Sequence, residues 1–269
     1  MLDLSTPAVM GILNITPDSF YEGSRFRPNS DEIVQKAGQM LGDGAAMLDV
    51  GGYSTRPGAA EISLSEECDR VLPVIEALVS HFPTAVISID TFRSEVAREA
   101  VYAGATLIND VSGGNLDEKM FETVAELGVP YVLMHMRGTP QTMAKENHYK
   151  NLLQDILQEL AQKLAKLRFL GVADVIVDPG FGFAKNVAQN FELLNNLQYF
   201  QELNALLLVG VSRKSMIWRS LGVTPAEALN GTTVLNTFAL QKGVNILRVH
   251  DVKEACEAVQ LWQLTTQRE

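Results

Sequence analysis

The chain has 269 residues, 46% of them hydrophobic, and 22 Lys and Arg against 32 Asp and Glu give a formal net charge of −10. This composition supplies a substantial core and excludes a disordered chain, and the acidic balance argues against a general nucleic-acid binder, which needs a basic face to displace counterions. Two cysteines, Cys68 and Cys256, are too few for a disulfide framework or a four-cysteine zinc site. With no signal peptide and no membrane-length apolar run, the chain is expected to be a cytoplasmic protein that engages no membrane.

In chain order, short apolar runs predict strands over 9–13, 47–50, 86–89, 106–108, 131–134, 175–177, 206–209 and 246–249. Helical spacing fills the intervals, most clearly over 65–80, 151–170 and 225–241, and 252–264 reads as a closing helix. The strands are apolar throughout rather than alternating, as a parallel sheet covered on both faces requires. The alternation predicts an α/β fold, a single (β/α)8 TIM barrel domain over residues 1–269 with the active site at the C-terminal ends of the strands. An open doubly wound sheet shares the alternation and is the rival.

Polar residues fall at the strand ends. Strand 1 runs into Asn14, strand 2 leads to Ser54, Thr55 and Arg56, and strand 3 ends in Asp90. Strand 4 ends in Asn109 and Asp110, strand 5 in His135 and strand 6 in Asp178. Strand 7 leads to Ser212, Arg213 and Lys214, and strand 8 to Arg248 and His250. In a barrel these ends share one rim, the face that carries active sites.

Asp90, Asn109 and Asp178 offer acceptors suited to a flat heterocycle with a guanidine-like edge, since a carboxylate takes two parallel N–H bonds. Taken singly, each is equally a helix cap or a turn residue. Arg56 and Arg248 are planar forks for phosphate oxygens, with Thr55 and His250 as further donors. Read alone, Arg56 is an exposed loop arginine and His250 a helix start. Lys214 can grip an anion or carbonyl or form a Schiff base, unless it simply faces solvent. In DPGFGF the glycines permit a turn close to a ligand, and Phe183 can cover a ring. No histidine pair has zinc spacing, and no P-loop or dinucleotide fingerprint follows a strand.

Taken in order, MGILNITPDSF, GGYSTRPGA, SIDTFR, INDVSGG, LMHMRGTPQTM, DPGFGFAK, GVSRKSMI and RVHDV resemble the dihydropteroate synthases, pterin-binding enzymes of folate biosynthesis. The resemblance spans nearly the whole chain. It implies a TIM-barrel transferase, Mg2+ as cofactor, small-molecule substrates and a homodimer. In the implied reaction, p-aminobenzoate displaces pyrophosphate from 7,8-dihydropterin-6-ylmethyl diphosphate to give 7,8-dihydropteroate. The resemblance assigns the pterin to Asp90, Asn109, Met134, Asp178 and Lys214, and the diphosphate to Asn14, Thr55, Arg56, Arg248 and His250, with Asn14 facing the metal. It gives Asp90, Asp178, Lys214 and Arg248 the catalytic roles, and Phe20, Thr55, Pro57, Phe183, Lys214 and Ser215 the p-aminobenzoate pocket. One departure stands out. Tyr21-Glu22-Gly23-Ser24 follows Phe20 where relatives commonly carry Ser-Asp-Gly-Gly, which bears on any contribution of Glu22 to the metal.

Three rivals remain at this level. A corrinoid-dependent methyltransferase domain would use the same acceptors but leave STRPG and RVHDV with no diphosphate. A Schiff-base aldolase would rest on Lys214, and a pterin-binding module would share the pocket without catalysis.

Overall fold

The computed structural model describes residues 6–15, 30–55 and 60–266. Among these residues eight strands alternate with helices: β1 (Ala8–Asn14), α1 (Ser30–Gly42), β2 (Met47–Gly51), α2 (Leu64–His81), β3 (Val86–Asp90), α3 (Ser94–Tyr102), β4 (Leu107–Asp110), α4 (Met120–Leu127), β5 (Tyr131–Met134), α5 (Leu152–Phe169), β6 (Val175–Asp178), α6 (Val187–Asn195), β7 (Leu206–Val209), α7 (Ser215–Leu221), α8 (Leu229–Gln241), β8 (Ile246–Val249) and α9 (Val252–Thr266). Every strand pairs in parallel with its chain neighbours. β8 returns to β1, with Met10 opposite Arg248, and closes a TIM barrel. The open-sheet alternative is excluded by that last pairing.

The two-residue period of a strand sorts the side chains. Met10, Met47, Leu107, Val132, Ile176, Leu208 and Ile246 pack together as an apolar layer inside the barrel. Two residues further along, the same strand faces carry Asp49, Asn109, Met134, Asp178 and Arg248. The alternate positions, among them Leu48, Val50, Ile87, Ile89, Ile108, Leu133, Val177 and Val209, join the helices in the larger cluster outside the barrel wall. Both faces are therefore buried, which is why the strands read as continuous apolar runs. At about 1.5–3 kcal/mol per buried aliphatic side chain, these layers supply the stability that lets the next interior layer be charged. Gly11 makes one close approach possible, because a Cβ there would lie 3.0 Å from Met40 Sδ and 3.1 Å from Val252 Cγ2.

The helices start where local chemistry supplies their free N–H groups. Ser63 and Glu66 form a capping box on α2, and Asn186 and Gln189 do the same on α6. The helix predicted over 225–241 is in two parts: Pro225–Glu227 is a 3-10 turn, and α8 begins at Leu229. Arg213 Nη1 donates to the carbonyls of Pro225 (3.0 Å) and Ala226 (2.6 Å), which draws them away from a continuous helical ladder. The strand predicted over 106–108 lies at Leu107–Asp110, so Asn109 is itself a strand residue. Among the described residues no helix is long and apolar enough to cross a membrane.

Candidate active site

A cavity of about 670 Å³ opens at the C-terminal ends of the strands, lined by Asn14, Thr55, Asp90, Phe183, Lys214, Ser215, Arg248 and His250 among others. Asn109, Met134 and Asp178 are buried in the same interior layer, at the ends of β4, β5 and β6. The barrel thus brings together every predicted site residue that falls within the described segments. Phe20, Arg56, Pro57 and Glu22 lie outside them.

The charged centre is a bridge that the sequence did not announce. Arg248 donates from Nε to Asp49 Oδ2 and from Nη2 to Asp90 Oδ2, both at 2.6 Å. Asn109 Nδ2 donates to the same Asp49 oxygen at 3.0 Å. Burial works against the charge of Arg248, but Asp49 and Asp90 outweigh it and hold its pKa above the ordinary arginine value. Burial pushes the Asp90 carboxyl upward while Arg248 pulls it down. Arg248, expected among the diphosphate donors, therefore stands at the junction of the acceptor floor and the rim. Asp49 is fully buried, and its Oδ1 has no hydrogen-bond partner, so this carboxylate keeps one acceptor unsatisfied.

Asp178 Oδ1 accepts the N–H of Gly180 at 2.7 Å, and burial raises its pKa against the pull of Lys214. Lys214 Nζ donates to the carbonyl of Phe181 and stands 4.6 Å from the centre of the Phe183 ring. Burial lowers its pKa to about 8, with Asp178 opposing. The turn between them is tight. Gly180 has φ 75°, and a Cβ there would lie 2.0 Å from the His135 carbonyl oxygen, so only glycine lets the chain pass.

Lys185 fixes that turn from beneath, a role that the motif did not disclose. It is buried, and its three ammonium donors go to His135 Nδ1, Gly180 O and Phe183 O, each at 3.0 Å. His135 Nε2 meets Glu159 at 3.1 Å, so this strand-end histidine belongs to the supporting network and does not line the cavity. Arg213 is structural too. It has φ 53° and pairs bidentately with Asp251 at 2.8 and 2.9 Å, and it lines the cavity between Ser212 and Lys214 with its charge already engaged. Ser212 Oγ accepts the His250 backbone N–H at 3.1 Å and lies 3.0 Å from His250 Nδ1. Both contacts fix the His250 ring against Ser212 at the cavity wall.

The model of the family described as pterin binding enzyme matches residues 10–250. The dihydropteroate synthase of Escherichia coli K12 is 45% identical over 267 residues, 98% of this chain and 93% of its own length. The chain belongs to the dihydropteroate synthase family of pterin-binding enzymes. It is accordingly an enzyme of the transferase class. A Xanthomonas albilineans dihydropteroate synthase solved with 4-aminobenzoic acid superposes with a TM-score of 0.92 at 38% identity, covering 100% of this chain and 96% of that one. A structure of the Xanthomonas enzyme with 7,8-dihydropteroate gives 0.89 at 35% identity, covering 100% and 97%.

The resemblance read from the sequence implies magnesium, and the donors present fit an ion that takes few protein ligands. Among the described residues no group of three or more His, Cys, Asp and Glu side chains is placed to hold a metal. Asn14, half-buried on the cavity wall at the end of β1, offers one carbonyl oxygen. One or two protein oxygens beside substrate phosphates are what magnesium usually takes.

Proposed function

We propose that this chain condenses 7,8-dihydropterin-6-ylmethyl diphosphate with p-aminobenzoate, releasing 7,8-dihydropteroate and pyrophosphate. The observation that carries the reading is the polarity of the cavity. Asp90 lines it, with the buried acceptors Asn109 and Asp178 in the same interior layer at the strand ends, and its rim carries the donors Thr55, Lys214 and His250, with Arg248 between. A pterin presents a guanidine-like edge to such acceptors and its diphosphate to such a rim.

The C–O bond breaks with its electron pair leaving on pyrophosphate, and positive charge develops on the methylene carbon. Asp90 and Asp178 lower the energy of the electron-poor ring, and Arg248, Thr55 and His250 that of the departing charge. A magnesium ion held by Asn14 and the diphosphate oxygens would supply further charge neutralisation. Phe183 and Ser215 border the space next to Lys214 where the aromatic amine approaches. Its neutral nitrogen attacks the methylene and then gives up its proton to the released pyrophosphate, so orientation replaces a strong base. No protein nucleophile is needed. We extend the proposal to a homodimer on the strength of the family, which sedimentation velocity tests directly.

The deciding experiment supplies purified protein with the dihydropterin diphosphate, magnesium and p-aminobenzoate and follows both products. Equimolar pyrophosphate and dihydropteroate are expected. Pterin binding without turnover, in an assay where a reference synthase is active, would overturn the enzymatic reading in favour of a binding protein.

A further inference from the structure

Glu67, in the first turn of α2, is completely buried although it carries a carboxylate and lies outside the cavity. It accepts Thr91 Oγ1 and Arg93 Nη1, both at 2.7 Å. Arg93 extends the network, with Nη2 donating to the Ile62 carbonyl at 2.7 Å and the guanidinium carbon 5.3 Å from the centre of the Tyr53 ring. From the same helix Arg70 Nη1 donates to the Gly52 carbonyl at 2.9 Å. Gly52 itself rests on α2, where a Cβ would lie 2.7 Å from Val71 Cγ1 and 3.4 Å from the Glu67 carbonyl oxygen. The chain leaving β2 is thus gripped at Gly52 and Tyr53, and again at Ile62 where it enters α2. Between these grips lie Ser54 and Thr55, which line the cavity with Tyr53.

Stability alone does not call for this arrangement. Burying a carboxylate with a guanidinium carries a desolvation cost that well-packed apolar side chains avoid. What the ion pair adds is direction. It aims one Arg93 nitrogen at Ile62 and sets the guanidinium carbon over the Tyr53 ring. We propose that Glu67, Arg93 and Arg70 are positioning residues that hold Gly52–Thr55 against the cavity, so that Thr55 meets the diphosphate end of the substrate. This rests on the synthase reading of the cavity and names a determinant outside it.

Arg93→Met and Glu67→Gln test the proposal, with Arg93→Lys as the conservative partner. Amide exchange over Tyr53–Thr55 reports the clamp, and calorimetry with pyrophosphate plus magnesium and with an unphosphorylated dihydropterin reports the two ends of the site. Arg93→Met is expected to speed exchange in that segment and to weaken pyrophosphate about tenfold, the factor carried by one net hydrogen bond. Pterin affinity should stay within about twofold, a change too small to represent a lost bond, and Arg93→Lys should recover part of the loss. Unaltered exchange, or faster exchange with pyrophosphate affinity intact, overturns the proposal. A parallel loss of both ligands also overturns it, since that marks general destabilisation. A wild-type protein that binds the pterin but no pyrophosphate rejects the synthase reading itself, and this inference falls with it. Should Glu67→Gln fail to fold, Arg93→Lys and Arg70→Met give the same comparison from milder changes.

Discussion

Replacing Asp49 by Asn removes a charge while keeping the shape, and so isolates what the Asp49–Arg248–Asp90 bridge contributes. Asp49 Oδ2 accepts Arg248 Nε at 2.6 Å and Asn109 Nδ2 at 3.0 Å with no exposure to solvent. The asparagine keeps one acceptor oxygen, so neither donor is orphaned, but Arg248 retains only Asp90 as its close counter-ion. A hydrogen bond to a charged partner is worth about 1.5–3 kcal/mol net against ~1 kcal/mol for a neutral one. Removing one partner of a buried pair outright costs about 3–5 kcal/mol, which bounds the effect from above. With Asp90 still in place the expected loss is about 2 kcal/mol of unfolding free energy, measured by urea denaturation. Pterin affinity should fall as well, because Asn109 and Arg248 are then held by a neutral acceptor in place of a charged one. A double-mutant cycle with Arg248→Met isolates the pair, with an expected coupling of about 2 kcal/mol. A stability change under ~0.5 kcal/mol with coupling near zero would refute the reasoning and reduce Asp49 to a passive buried group.

Two further outcomes follow from the lysines. Lys214 has its folded pKa lowered to about 8, so its ammonium is present below that pH and lost above it. Pterin affinity should therefore fall as pH rises through about 8. Between that value and the ordinary lysine range the unfolded chain binds more protons than the folded one, so the stability contribution of Lys214 rises over the same interval. Opposite trends in affinity and stability are the signature, and Lys214→Met should abolish both; an equally steep affinity profile in that variant would trace the dependence to the ligand's own titration. Lys185→Met removes three buried bonds near 3.0 Å while relieving a buried charge whose pKa burial lowers to about 7. The expected net cost is about 2 kcal/mol in urea, with a raised KM for the aromatic amine as the Gly180–Phe183 turn loosens. Unchanged stability and KM would show that Asn190, which accepts the Gly182 N–H at 2.7 Å, suffices to hold the turn.

Asp90, Asn109 and Asp178 were legible in the sequence because each interrupts an apolar run at its end, where the barrel rule places function. Asp49 escaped because it lies within MLDVG, flanked by apolar residues and glycine, and a strand judged only by its last residue hides an interior polar group. The signal was present in the register: Asp49 pairs with Ser88, so it shares the inward face with Asp90 two residues further along β3. His135 shows the converse. It follows the last residue of β5, Met134, which pairs with Asp178, and the two-residue alternation turns it outward to Glu159 and Lys185. Glu67, Lys185 and Arg213 were illegible for a different reason. The partners of Lys185 and Arg213 are backbone carbonyls as much as side chains, and Glu67 is met by Thr91 and by Arg93, whose other nitrogen goes to the Ile62 carbonyl; a carbonyl leaves no mark in the sequence. Residues that touch a ligand are betrayed by chemical type at a strand end, whereas residues that aim them are betrayed only by a buried charge with its donors or acceptors fully engaged. Asp49 is the informative exception, since its buried Oδ1 has no partner. A buried acceptor in that state, beside Arg248 and Asn109, is a group that a donor on the proposed pterin substrate would satisfy.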